Sequence, residues 1–109
     1  MQENRFFYGI GLLEIHIPHS QSLKDKRSVV KSLKDRLAER LRVSVIECGP
    51  QDLWQRGSLG ICIAAREEGQ VRASLAAALR TVEEEYRVVV LGFRTRVGSL
   101  DDDPLEDEA

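Results

Sequence analysis

Phe6-Phe-Tyr-Gly-Ile-Gly-Leu-Leu-Glu-Ile-His-Ile17 runs directly into Pro18-His-Ser-Gln-Ser-Leu-Lys-Asp-Lys-Arg27. The first stretch is rich in β-branched and aromatic residues and stops at a proline, which predicts a strand over 6–17. Its period of two puts Leu13, Ile15 and Ile17 on one face and Tyr8, Ile10, Leu12, Glu14 and His16 on the other. After the proline, Ser22 reads as a helix N-cap, with Asp25 three residues on as a shortened capping box. Val29, Val30, Leu33, Leu37 and Leu41 follow at helical spacing, so a helix is predicted to about Leu41.

Working outward, Val43, Val45 and Ile46 open a second strand that ends at Gly49-Pro50. A loop, Gln51-Asp-Leu-Trp-Gln-Arg-Gly57, leads to a third strand over 58–66 with Leu59, Ile61 and Ile63 alternating. Gly69 precedes a second helix whose stripe is Val71, Leu75, Ala78, Leu79 and Val82, closed by Tyr86. Residues 88–97 form the fourth strand. The order β-α-β-β-α-β, with one apolar stripe per helix, predicts an α+β two-layer sandwich in which both helices cover one face of a four-stranded antiparallel sheet. Right-handed crossovers favour the ferredoxin-like arrangement, with the first and third strands central. Residues 1–97 make one domain. Residues 98–109 lack apolar periodicity and are expected to be an acidic disordered tail.

A chain of 109 residues can bury one core without staples. Its apolar runs are too short to span a membrane, and no signal segment opens it, so a cytoplasmic location is expected. Cys48 and Cys62 are lone thiols; with 49–57 as the connection, Cys48 would face position 58 and no disulfide is expected. The net charge of −2 conceals an asymmetry. The stretch 101–109 has six acids and no base, which leaves the rest with 16 basic and 12 acidic residues. Residues 23–42 hold eight basic and three acidic residues. A basic body points to a polyanion, although a solvated helix face explains the same charges.

Topology turns these charges into a candidate site. The first strand ends where the first helix begins, and the second strand, parallel to the first, ends at the same side. His16, His19, the Lys24–Arg27 turn and the loop carrying Gln51, Trp54, Gln55 and Arg56 should therefore converge on one rim. Lys24, Lys26 and Arg27 crowd a first helical turn whose dipole already disfavours cations, which suggests a negative ligand there. Lys24, Arg27, Lys31 and Lys34 fall within an arc of about 80° on one flank of that helix. Lys26 falls inside the apolar stripe and must reach past the helix end toward the rim. Trp54 could stack on a base beside polar Gln51, Gln55 and Arg56, but a lone large aromatic more often anchors its loop against the core, with Asp52 bonding turn amides. The acidic tail leaves from the opposite end and is long enough to reach back to a basic site.

Other patterns fail on context. His16 and His19, with Glu14, Glu47 and Asp52, match no standard metal-ligand spacing, and no metal or cofactor is implied. Gly57-Ser-Leu-Gly60 enters a strand rather than joining helices, and Gly9-x-Gly11 lies within one. With no aromatic on the third strand, a base-stacking sheet of the RRM type is not expected. The open face of the sheet is instead apolar through Tyr8, Ile10 and Leu12, flanked by Cys62 and Ala64. A face of that kind predicts a homodimer or small oligomer.

Glu14-x-His16-Ile-Pro18, Ser22-Leu-Lys-Asp-Lys-Arg27, Ser32-Leu-Lys-Asp-Arg36, Val43-Ser-Val45 and Gln51-Asp-Leu-Trp-Gln-Arg56 together resemble the YlxP-like bacterial family, over about residues 8–97. The resemblance implies a ferredoxin-like fold. Genes of that family often lie beside translation-initiation and ribosome-maturation genes, which implies an RNA- or ribosome-associated role in translation. It supplies no catalytic residue. Gly11 and Leu12 depart from the large apolar and basic residues usual in the first strand, and Cys48-Gly-Pro50 replaces a more polar stretch. The greasier face that results favours oligomerisation over RNA contact there. The expected function is a non-catalytic accessory protein binding RNA or a ribosomal particle through the rim. The alternatives are an enzyme or sensor for a small phosphorylated ligand at that rim, or a structural oligomerisation module.

Overall fold

The computed structural model describes residues 5–101. Six elements follow in the expected order: β1 (Phe7–His16), α1 (Leu23–Leu41), β2 (Ser44–Cys48), β3 (Arg56–Ala65), α2 (Glu68–Glu83) and β4 (Val89–Ser99). The sheet order is β2-β3-β1-β4 with every neighbouring pair antiparallel. Both helices lie on one face, giving the ferredoxin-like α+β sandwich. None of the helices is long and apolar enough to cross a membrane among the described residues.

Side-chain alternation along β1 decides which face is covered. Leu13, Ile15 and Ile17 are buried beneath the helices, while Ile10 and Glu14 on the opposite face are exposed. Leu59 and Ile61 of β3 join them from the adjacent strand. From α1 come Val29, Val30, Leu33 and Leu37, and from α2 Val71, Leu75, Ala78 and Val82. Burying each valine, leucine or isoleucine among these contributes on the order of 1.5–3 kcal/mol, so no single one dominates.

Local chemistry sets the element ends. Ser22 is the N-cap of α1: its Oγ accepts from Asp25 N at 3.0 Å, and Asp25 Oδ2 accepts from Gln21 N at 3.0 Å. Gly49 closes β2 at φ +88°, a backbone state that side chains disfavour. Cys48 sits opposite Ser58, as the spacing predicts, and both cysteines are free.

Three expectations change. β3 begins at Arg56, so the connection from β2 is shorter than the expected loop and Arg56 belongs to the sheet. β4 continues past Val97 to a buried Ser99, with a turn at residues 100–101. The remainder of the acidic tail, 102–109, lies outside the described residues. Tyr86 does not close the stripe of α2; it is 91% exposed, and Glu85 is the buried residue instead. Periodicity lost there to ion pairing, because Glu85 gains two arginine partners inside.

Gly9 lies directly beneath Val71 and Leu75 of α2. A Cβ on Gly9 would stand 2.4 Å from Val71 Cγ1, a stiff branched side chain that cannot swing aside. Gly9→Ala should therefore lower unfolding free energy by about 1–3 kcal/mol in a urea titration. Gly92→Ala, where nothing lies within 4 Å, serves as the tolerated control.

Candidate functional site

The predicted rim assembles. His16 pairs with Arg56 across β1 and β3, and Ile17 N donates to Gln55 O at 2.9 Å. Gln55 Nε2 donates to the carbonyls of Pro18 at 3.2 Å and Ser20 at 3.0 Å. These bonds tie the turn carrying Trp54 to the strip between β1 and α1. A second fastening comes from the helix. Lys26 Nζ donates to Pro50 O at 3.0 Å and lies 3.5 Å from Glu47 Oε2.

Several candidates thereby change role. Lys26, expected to present its charge at the rim, is 1% exposed and its ammonium is consumed inside the protein. Its place in the apolar stripe was the sign of burial; the stem packs in the core while Pro50 and Glu47 satisfy the head. Gln55 likewise works as a fastener rather than as a free polar edge. Gln51 bends back toward its own turn, with Nε2 3.4 Å from Gly49 O. Lys31 is paired with Asp35 at 2.7 Å on the solvent side of α1, an exposed pair of small energetic weight.

What remains displayed is a shorter set. Lys24, Arg27 and Arg56 are exposed and form no ion pair with a described residue, and Lys34 is half-buried further along α1. His19 is exposed and His16 half-buried. Trp54 is 52% exposed. The expectation that it anchors the loop in the core is overturned: Gln55 and Lys26 do the anchoring, so the indole is free to face outward.

On the helix side of the rim, Ile17, His19, Ser20, Asp25, Ser28, Val29 and Arg87 line a cleft of about 250 Å³. Its arginine belongs to a cluster that the sequence reading missed. Glu85 Oε2 accepts from Arg87 Nε at 2.8 Å and from Arg87 N at 3.0 Å, and Glu85 Oε1 accepts from Arg87 Nη2 at 3.0 Å and from Arg36 Nη2. The Arg87 bonds, backed by Arg36, hold the Glu85 carboxyl down to about 2 despite its burial. A glutamate three residues beyond the last stripe position, two before an arginine, was the only available signal.

Residues 9–95 match the family described as "Protein of unknown function (DUF503)". The chain belongs to this family. It is also 35% identical over 75 residues to the uncharacterized protein YlxP of Bacillus subtilis (strain 168), covering 69% of this chain and 82% of that relative. The matched span takes in α1, β2, β3 and α2 whole, most of β1 and β4, the rim and Arg94, and leaves Arg96 and the acidic tail outside.

Two fasteners can be tested directly. Lys26→Met keeps the apolar stem but leaves Glu47 and Pro50 O without their donor; we expect a loss of about 1–3 kcal/mol in stability, with Trp54 fluorescence reporting a looser loop. Glu85 has a depressed pKa, so its contribution is complete above 4.5 and vanishes as pH falls toward about 2. The stability gap between the parent and Glu85→Gln, up to about 3 kcal/mol at neutral pH, should close across that window in pH-dependent denaturant melts.

Proposed function

We propose that this protein is a non-catalytic accessory protein of the cytoplasm that binds RNA, as free RNA or within a ribosomal particle, through the rim. One observation carries the reading: a turn fastened at both sides holds a half-exposed Trp54 beside Arg56, a cation that no described carboxylate neutralises, on a rim that also carries unpaired Lys24 and Arg27. Exposing an indole leaves a large apolar surface in water, a cost that stacking on a base would remove. Lys24, Arg27 and Arg56 supply the attraction for phosphates, and the fastened turn reduces the ordering cost of binding.

The cleft beside His19 supports a small phosphorylated ligand less well. Its arginine is already bonded to Glu85, and Asp25 contributes a negative charge to the lining. An extended polyanion tracking the exposed rim fits the charges better than a compact one seated in the cleft.

Co-sedimentation with ribosomes and with purified ribosomal RNA over a salt series tests the proposal. Affinity should fall steeply with salt, by a slope of about 0.7 for each single-strand phosphate engaged. Lys24→Ala/Arg27→Ala/Arg56→Ala should bind at least about tenfold more weakly than the parent. Retention equal to that of the parent would refute the rim as the binding surface.

A further inference from the structure

The face of the sheet opposite the helices continues the rim, and its charge is lopsided. Arg96 lies opposite Ile10 and Arg94 opposite Leu12, so both arginines of β4 stand on this face. At its other end Arg56 lies opposite His16. Ile10 is 43% exposed and Ile46, on β2, 63%. The only carboxylate placed on the face by the strand registers is Glu14, opposite Ser58 and Gly92.

Elsewhere some cations are paired, while others on the helical side, such as Lys34, Arg42 and Arg80, form no ion pair with a described residue. Lys31 with Asp35, Arg72 with Glu68, Arg40 with Glu84, and Arg36 and Arg87 with Glu85 all lie on the helices or the α2–β4 connection. Arg94 and Arg96 are exposed and have no such partner among the described residues. We propose that this sheet face binds single-stranded RNA, with Arg94 and Arg96 engaging phosphates and the aliphatic centre taking the flat faces of unpaired bases. The inference rests on the RNA-binding reading and deepens it by naming the strandedness of the ligand and a second contact surface.

Geometry fits a single strand. Residues two apart on a strand are separated by about 7 Å, comparable to the step between successive phosphates of an extended chain. From Ile10 to His16 the face runs about 20 Å, so one short single strand can cross from the β4 arginines to Arg56 and Trp54. A duplex would hide the base faces that the aliphatic centre needs. Arginine guanidinium planes can themselves stack on bases, which offsets the lack of an aromatic on β3.

A second copy of this chain fits less well. Stacking two such faces would take four arginines out of water against two copies of Glu14, and each unpaired buried ion costs several kcal/mol. A polyanion inverts that penalty into attraction.

Fluorescence anisotropy with a labelled single-stranded ribo-oligonucleotide of about ten nucleotides, and with its duplex, tests the proposal. Arg94→Ala/Arg96→Ala should bind the single strand about tenfold more weakly than the parent and lower the salt slope by about 1.4. The duplex should bind more weakly than the single strand. Binding of Arg94→Ala/Arg96→Ala at parental strength overturns the proposal; if Lys24→Ala/Arg27→Ala is weakened in the same assay, the rim reading stands without it. Loss of all RNA binding by the parent ends both. Duplex binding as tight as single-strand binding overturns it. So does single-strand binding that requires removal of residues 102–109, which would identify that acidic segment as the occupant. A dimer by light scattering that Ile46→Asp dissociates without changing RNA affinity would assign the face to a second copy.

Discussion

An ammonium group held out of water organises one end of this molecule. Lys26 leaves the first turn of α1 and reaches the end of β2, where Pro50 O and Glu47 receive it. Burying a lone ammonium is costly, and that cost is offset only while both acceptors hold their places. The constraint therefore acts in both directions. It fixes the start of α1 against the sheet, and it fixes the turn after β2 against the helix. Gln55 completes the arrangement from the far side of the turn by bonding two carbonyls of the β1–α1 connection. With the turn held in this way, Trp54 need not enter the core for the loop to be ordered.

That division between fastening and displayed groups explains how far the sequence can be read. Alternation in Leu13, Ile15 and Ile17, the Ser22 cap and the stripe from Val29 to Leu37 are each local, and each survives folding unchanged. Consistency among such local signals made the architecture legible. The site was legible in outline, because topology alone brings the ends of β1 and β2 to one side. Its individual roles were not. A helical wheel places Lys26 in the stripe but cannot say that a carbonyl and a carboxylate from residues 47–50 wait for it. Likewise, periodicity puts Tyr86 inward, and only the tertiary meeting of Arg36 with Arg87 makes Glu85 the cheaper residue to bury.

The β4 arginines show a different kind of blindness. Read alone, residues 88–97 are a mainly apolar run, and the arginines interrupt it without announcing a face. Register assigns the face: Arg94 and Arg96 fall opposite Leu12 and Ile10, on the side away from the helices. Phe93 and Val97, by contrast, pack against the core. Adjacent strands thus build a surface whose apolar part comes from β1 and whose charge comes from β4, and neither strand shows it by itself.

The distribution of ion pairs bears on what that surface is for. Exposed pairs such as Lys31 with Asp35 or Arg72 with Glu68 stabilise little, but they quench local potential around the helices. No comparable quenching by described residues occurs around Arg94, Arg96, Arg56, Lys24 or Arg27. The open face and rim thus carry cations without a described carboxylate partner, as part of α1 does through Lys34. Apolar area within a positive field discriminates between partners better than either property alone. On the proposed reading, like charge opposes self-association through this face, while an unpaired nucleic acid would satisfy both its arginines and its exposed aliphatic ground. Trp54, Ile10 and Ile46 forgo the gain of burial, and the fastening by Lys26 and Gln55 orders the turn without calling on the indole.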